Sequence, residues 1–162
     1  MSSKKKVVEN LQKGLAMELA AVNQYFLHAL VAEDWGLDKL AANMRGEMQE
    51  EMAHAERFAR RLVFLGENPE VAPEKPPHRA QELQDMFEND LRDEEDAIKF
   101  YTKASRDADA ADDIGSRQIF ENITLEEEGH KEWLELQLSL LKRMGEPNYI
   151  AMHMGTPGEE GE

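Results

Sequence analysis

Apolar residues recur at alternating steps of three and four positions over four long stretches of the chain. This period is typical of amphipathic helices, and no segment between the stretches has the apolar–polar alternation of a strand. Breakers end each stretch: Gly36, the 66–77 segment with four prolines, the 112–115 segment and the 145–147 segment. The pattern predicts helices at 5–35, 38–65, 80–111 and 114–144, with a short fifth helix around 147–153.

The connections between the predicted helices differ in length. Short connections follow the first and third helices, whereas the connection after the second is long and contains four prolines. A short connection makes neighbouring helices antiparallel, and a long one allows helices 2 and 3 to run parallel. The predicted fold class is therefore all-α, a four-helix bundle with a long crossover between helices 2 and 3 and a short C-terminal helix.

The two halves of the chain carry the same pattern when one is shifted by 76 positions. Matched inward positions of the first and third helices are Leu11 and Phe87, Leu15 and Leu91, Glu18 and Glu94, Val22 and Ile98, and Tyr25 and Tyr101. Those of the second and fourth are Met44 and Phe120, Glu51 and Glu127, His54 and His130, Phe58 and Leu134, Leu62 and Leu138, and Leu65 and Leu141. Apolar positions match by chance in amphipathic helices, but acidic residues within an apolar face rarely do, so the repeat predicts a symmetric site.

Four glutamates lie on these otherwise apolar lines: Glu18, Glu51, Glu94 and Glu127. Moving a carboxylate out of water costs several kcal/mol, and four together repel one another. No lysine or arginine lies on the same lines to compensate them. Two divalent cations would supply the missing positive charge.

The histidines fit the same interpretation. Glu51-x-x-His54 and Glu127-x-x-His130 each place a carboxylate and an imidazole one helical turn apart on one face. One hard oxygen donor and one borderline nitrogen donor per helix favour iron or manganese over calcium or zinc. The set predicts a two-metal centre, with Glu50 and Glu126 as competing carboxylates. Glu50 falls on a polar side of its helix, whereas helical phase does not exclude Glu126.

Composition narrows the function classes. The chain has 162 residues, which favours one domain, predicted over 1–154 and followed by an acidic flexible tail over 155–162. With no cysteine, disulfides, thiolate zinc sites and iron–sulfur clusters are excluded. The net charge of −15 disfavours binding to nucleic acid or anionic lipid. We find no signal peptide or long apolar run, so we expect a cytoplasmic protein with no membrane contact.

Several motifs together resemble bacterioferritin, the haem-containing branch of the ferritins, from Asn10 to Tyr149. They are Glu18, Asn23-Gln24-Tyr25-Phe26, Trp35-Gly36-Leu37, Glu50-Glu51-Met52-x-His54-Ala55, Glu94, Glu126-Glu127-Glu128-Gly129-His130 and Trp133-Leu134-Glu135. The resemblance implies a ferritin-like bundle that forms a 24-subunit shell, oxidises Fe(II) at an intrasubunit di-iron centre and stores ferric mineral inside. It also implies that the centre holds two irons per subunit through Glu18, Glu51, His54, Glu94, Glu127 and His130, with Glu51 and Glu127 as bridges.

Further expectations concern the haem, its reductant, Tyr25 and Gly46. Met52 would bind haem, one per subunit pair, although a methionine there could instead pack at a subunit contact. The haem would receive electrons from a small ferredoxin-type reductase. Tyr25 is a candidate redox residue of the centre, with simple packing as the alternative because Tyr101 occupies the matching place. Gly46 stands where some members have an iron-binding histidine on the inner surface, which argues against an additional site of that kind, although Glu47 and Glu50 could still attract iron.

The same set of residues is compatible with other functions. A di-iron oxygenase or a manganese catalase-like enzyme could use the same bundle, but no sequence feature indicates a substrate pocket. A helical bundle without metal would leave four buried carboxylates uncompensated.

Overall fold

Five helices account for most of the chain in the computed structural model, which describes residues 2–155. They are α1 (Ser3–Asp34), α2 (Asp38–Phe64), α3 (Leu83–Asp109), α4 (Ile114–Met144) and α5 (Glu146–His153). These helices confirm the predicted all-α fold. The third helix begins later than predicted because Glu82 has an extended backbone, with φ −151° and ψ 166°. The predicted tail falls outside the described residues apart from Gly155.

Local signals explain where the long helices begin and end. Ser2 caps α1 by accepting a hydrogen bond from the Lys5 amide, and Asp113 caps α4 by accepting one from the Ser116 amide. Gly36 follows α1 with a φ of 76°, a left-handed conformation that glycine adopts without strain. The chain can therefore reverse within a few residues, which makes α1 and α2 antiparallel.

The long crossover lies along α1 and is held there by hydrogen bonds. The Gln12 side chain bonds both backbone groups of Glu70, at 2.8 and 2.9 Å. Further along, the Glu74 amide donates to the Ala16 carbonyl, and the Gln24 side chain bonds both backbone groups of His78. The crossover thus runs in the same direction as α1 and returns the chain to the end of the bundle where α3 begins.

Two apolar clusters fill the bundle, and a polar layer separates them. One contains Phe58, Tyr101 and Phe120, and the other contains Phe87 and Tyr149. On every long helix the acidic residue predicted as a ligand lies between positions that belong to the two clusters. Packing on both sides therefore fixes the height of the polar layer in the bundle.

The first helix contains an 18-residue window with a mean hydropathy of 1.2, long and apolar enough to cross a membrane by composition alone. Half of that window is buried inside the bundle. Packing against the other helices accounts for this apolar character.

Candidate dinuclear metal centre

All six residues predicted as ligands meet in the polar layer. Glu18 and Glu94 come from α1 and α3, while Glu51 with His54 and Glu127 with His130 come from α2 and α4. Each of the six is no more than 7% exposed. The i, i+3 spacing places each glutamate and histidine pair on one face of its helix, directed at the bundle axis.

The donor atoms form two overlapping groups. One group is Glu18, Glu51, His54 and Glu127, the other is Glu51, Glu94, Glu127 and His130, and the atoms within each lie within 4.8 Å of one another. The Nδ1 atom of His54 lies 2.8 Å from Glu127 Oε1, and the Nδ1 atom of His130 lies 2.8 Å from Glu51 Oε1. Each histidine thus approaches the glutamate of the other half, as a pseudo-twofold arrangement requires. Glu51 and Glu127 belong to both groups.

Despite these 2.8 Å contacts, four atoms of this cluster make no hydrogen bond of suitable geometry within residues 2–155: Glu18 Oε2, Glu51 Oε1, His54 Nδ1 and Glu127 Oε1. Buried polar atoms in proteins are normally paired, so four such atoms facing one small space need a ligand. Carboxylate oxygens and imidazole nitrogens are suitable donors for iron or manganese. The residues present therefore fit a pair of divalent cations.

The electrostatics of the cluster show how these groups behave without a cation. Burial, with repulsion from neighbouring glutamates, raises the pKa of Glu18 and of Glu94 well above the ordinary value. Burial would lower the pKa of His54 and of His130, but contacts with the surrounding carboxyl groups raise both strongly. The cluster therefore retains protons, and binding a divalent cation must release them.

Two tyrosines complete the symmetric arrangement. The Tyr25 hydroxyl donates to Glu94 Oε1 at 2.8 Å, and the Tyr101 hydroxyl donates to Glu18 Oε1. Both rings are buried, and burial followed by the charge of the bonded glutamate raises the pKa of each hydroxyl. Tyr101 therefore donates a hydrogen bond to a predicted ligand in addition to packing in the core. Its match with Tyr25 in the other half of the chain could have suggested this contact. The redox role of Tyr25 stays a prediction.

The competing carboxylates lie outside the cluster and contact the far side of the histidines. Glu126 Oε2 lies 2.6 Å from Nε2 of His54, and Glu50 Oε2 lies 2.7 Å from Nε2 of His130. Glu47 Oε2 is also 3.1 Å from Nε2 of His130. A carboxylate on the outer nitrogen holds a ligating imidazole in one orientation and increases its basicity. Sequence reasoning considered Glu50 and Glu126 only as alternative ligands and missed this supporting contact.

The methionine predicted to bind haem lies away from the cluster. Met52 on α2 is 48% exposed, and Phe26 on α1, the helix packed against α2, is 47% exposed. The thioether of Met52 is therefore accessible to a second molecule.

The fold and the buried cluster are those of a ferritin-like protein, and the family model of the ferritin-like domain matches residues 8–144. Among curated relatives, bacterioferritin of Brucella melitensis is 37% identical and that of Rhodobacter capsulatus 38% identical, each over 162 residues and 100% of both chains. The chain therefore belongs to the bacterioferritin family, and its function is iron storage.

A solved structure agrees with this assignment. The Rhodobacter capsulatus bacterioferritin has a TM-score of 0.93 and 36% identity to this chain, covering 98% of this chain and 99% of that one. It is described as having a metal-free dinuclear site and a haem iron in a crystallographic special position.

Proposed function

We propose that this chain is a ferroxidase that oxidises Fe(II) at an intrasubunit di-iron centre and stores the product as ferric mineral. The observation that supports this proposal is the pair of overlapping donor groups, each with three carboxylates and one imidazole whose donor atoms lie within 4.8 Å of one another. Glu18 and His54 would hold one iron, Glu94 and His130 the other, and Glu51 and Glu127 would bridge them. Four carboxylates carry the charge that two Fe(II) ions balance.

The protein contributes geometry and electrostatics to the reaction. Two Fe(II) ions supply two electrons to O2 or H2O2, and the resulting Fe(III) hydrolyses to mineral. The carboxylates stabilise the higher charge of Fe(III), because hard anionic oxygen donors favour hard cations. Tyr25 and Tyr101 hold Glu94 and Glu18 in place, and the outer carboxylates hold the histidines. This pre-organisation avoids rearranging buried groups when the metals bind.

Substitution of the terminal ligands tests this proposal. Glu18→Ala and Glu94→Ala are expected to abolish rapid Fe(II) oxidation while the assembled size in gel filtration stays unchanged. Glu95→Ala, on the exposed side of α3, removes the same kind of side chain and should oxidise Fe(II) like the wild type. Unchanged initial rates in the first two variants would refute the assigned centre.

The space beside the centre favours a ferroxidase over an oxygenase. The adjoining cavity has a volume of about 60 Å³, whereas pockets for organic ligands are typically about 300–1,000 Å³. O2, H2O2 and a metal ion fit such a space. A manganese catalase-like enzyme is the remaining alternative, and it predicts rapid H2O2 breakdown by the Mn(II)-loaded protein with no gain from Fe(II).

We further propose that Met52 would bind the iron of a haem, with one haem shared by two chains. Its accessible thioether and the exposed Phe26 ring support this assignment. Thioether ligands raise the haem potential and so favour a ferrous haem that can reduce stored mineral. Met52→Leu is expected to remove the haem absorption bands. Met152→Leu, at a methionine that is 55% exposed on α5, is the control and should keep them; a normal spectrum for Met52→Leu would exclude the ligand assignment.

We also propose that 24 subunits form a shell and that a small ferredoxin-type protein supplies electrons to its haem. The shell predicts a particle of about 24 times the 18.5-kDa chain mass in gel filtration. The cytoplasmic location and the lack of nucleic-acid and membrane partners stay predictions from charge and composition.

A further inference from the structure

We propose that Asp90 is an intermediate binding point for Fe(II) on an acidic passage that leads to the dinuclear centre between α1 and α3. This inference rests on the proposed ferroxidase function and names a route by which its substrate arrives. The main helix contacts are α1 with α2 and α3 with α4. The α1–α3 side is therefore less tightly closed, and the cavity next to the centre lies there.

Exposure increases along this cavity from the centre to the surface. The four buried glutamates line its inner end, and Asp90, only 2% exposed, also lines it. Glu74, Asp93 and Lys75 line its outer part, with side chains 27%, 30% and 51% exposed. Apart from Lys75, every charged group in this lining is acidic. An acidic passage of this kind concentrates cations.

Hydrogen bonds orient Asp90 and define which ring nitrogen of its partner, His28, carries the proton. Both backbone groups of His78 bond the Gln24 side chain, which fixes the amide with its nitrogen toward His28. That nitrogen lies 3.4 Å from His28 Nδ1 and can only donate, so Nδ1 is the acceptor. Nε2 of His28 therefore carries the proton and donates to Asp90 Oδ1 at 2.8 Å.

The second oxygen of Asp90 is the observation that indicates a ligand. Oδ2 is buried and has no hydrogen-bond partner within residues 2–155. Unlike the unpartnered atoms of Glu18, Glu51 and Glu127, it belongs to neither donor group of the centre. A buried, unpaired carboxylate oxygen in an acidic cavity is suited to a hard divalent cation. Burial raises the pKa of Asp90, with His28 opposing the rise, and a passing cation would likewise favour the charged form.

The outer end of the passage carries opposing charges, and one of them is Lys13, whose Nζ lies 2.7 Å from Glu74 Oε2. Lys75 Nζ lies 2.6 Å from Asp93 Oδ1, so the crossover places an ammonium group at the opening. The ammonium group of Lys75 repels an incoming cation and forms an ion pair with Asp93, one of the acidic side chains of the passage. Its removal should make loading faster, whereas removal of the Asp90 charge should make it slower.

The test follows the rate at which the assembled protein binds Co(II), a divalent ion that is not oxidised under these conditions. Asp90→Asn keeps the size of the side chain and is expected to slow Co(II) loading on the order of tenfold, within the range of electrostatic steering. The final amount bound should equal that of the wild type. Lys75→Gln should load faster, and Glu88→Gln, at a half-buried residue on α3 outside the cavity, should load like the wild type.

The outcomes separate this inference from the proposed function. Wild-type loading rates in Asp90→Asn would overturn the inference, and so would a reduced final amount, which would make Asp90 part of the support of the centre. If Asp90→Asn does not fold, a wild-type rate of Co(II) loading in Lys75→Gln would instead overturn the proposed passage. A wild-type protein that binds no Co(II) at all would instead refute the dinuclear centre.

Discussion

Replacing Tyr101 with phenylalanine tests whether a hydrogen bond from outside the donor groups sets metal affinity. The Tyr101 ring is fully buried against Phe58 and Phe120, with ring centres 5.4 and 6.1 Å away, so phenylalanine preserves the packing. The substitution removes only the hydroxyl that donates to Glu18. A hydrogen bond to a charged group contributes about 1.5–3 kcal/mol, which corresponds to about a 10- to 160-fold loss of affinity.

The loss should be confined to one metal position. Glu18 belongs to one donor group only, so a Co(II) titration of Tyr101→Phe should show one weakened site and one of wild-type affinity. Tyr25→Phe is the matched control, because it removes the equivalent bond to Glu94 and should weaken the other site. Gel filtration and melting of the metal-free protein would show that the fold is retained. Two sites of unchanged affinity in Tyr101→Phe would refute the idea that this hydroxyl positions Glu18.

Three further results are expected. Gly14→Ala should lower the melting temperature, because its Cβ would lie 2.9 Å from the Phe58 ring and overpacking costs about 1–3 kcal/mol. Gly46→Ala has open space and should stabilise by up to about 1 kcal/mol; equal melting temperatures would contradict this contrast. Chelator-treated protein should lose stability as the pH rises from about 5.5 to about 8.5. The pKa values of Glu18, Glu94 and both imidazoles are raised in the folded chain, so over this range it keeps protons that the unfolded chain releases. A flat or rising melting temperature over this range would refute that assignment. Co(II) at 100 times its Kd should add about 2.7 kcal/mol for each occupied site at constant pH, and no shift on adding it would argue against a folded-state metal site.

The helices and the residues on their inward faces follow from local rules. A helix brings every third or fourth residue to one face, so Glu18 and Glu94 can be placed among core residues without any knowledge of the fold. The same rule pairs Glu51 with His54 and predicts that the two halves are equivalent. The helix bounds follow almost as well, because glycines, prolines and caps act within a few residues.

The contacts around the centre depend on side chains from separate helices. Glu126 sits on the outward side of α4, yet its carboxylate contacts a histidine of α2, 72 positions away. Helical phase assigns a residue to a face, but it does not show how far a flexible side chain extends around the helix. The supporting role of Glu126 and Glu50 is therefore visible only once the helices are packed.

The sequence by itself determined the four-helix architecture, the internal repeat and the six converging donor residues, because each depends on helical spacing or on nearby breakers. Only the tertiary structure decided that Tyr101 bonds Glu18, that the crossover lies along α1, and that His28 and Asp90 form a buried pair 62 positions apart. These contacts depend on the relative rotation and height of neighbouring helices, which packing of the two apolar clusters sets and which no local pattern encodes.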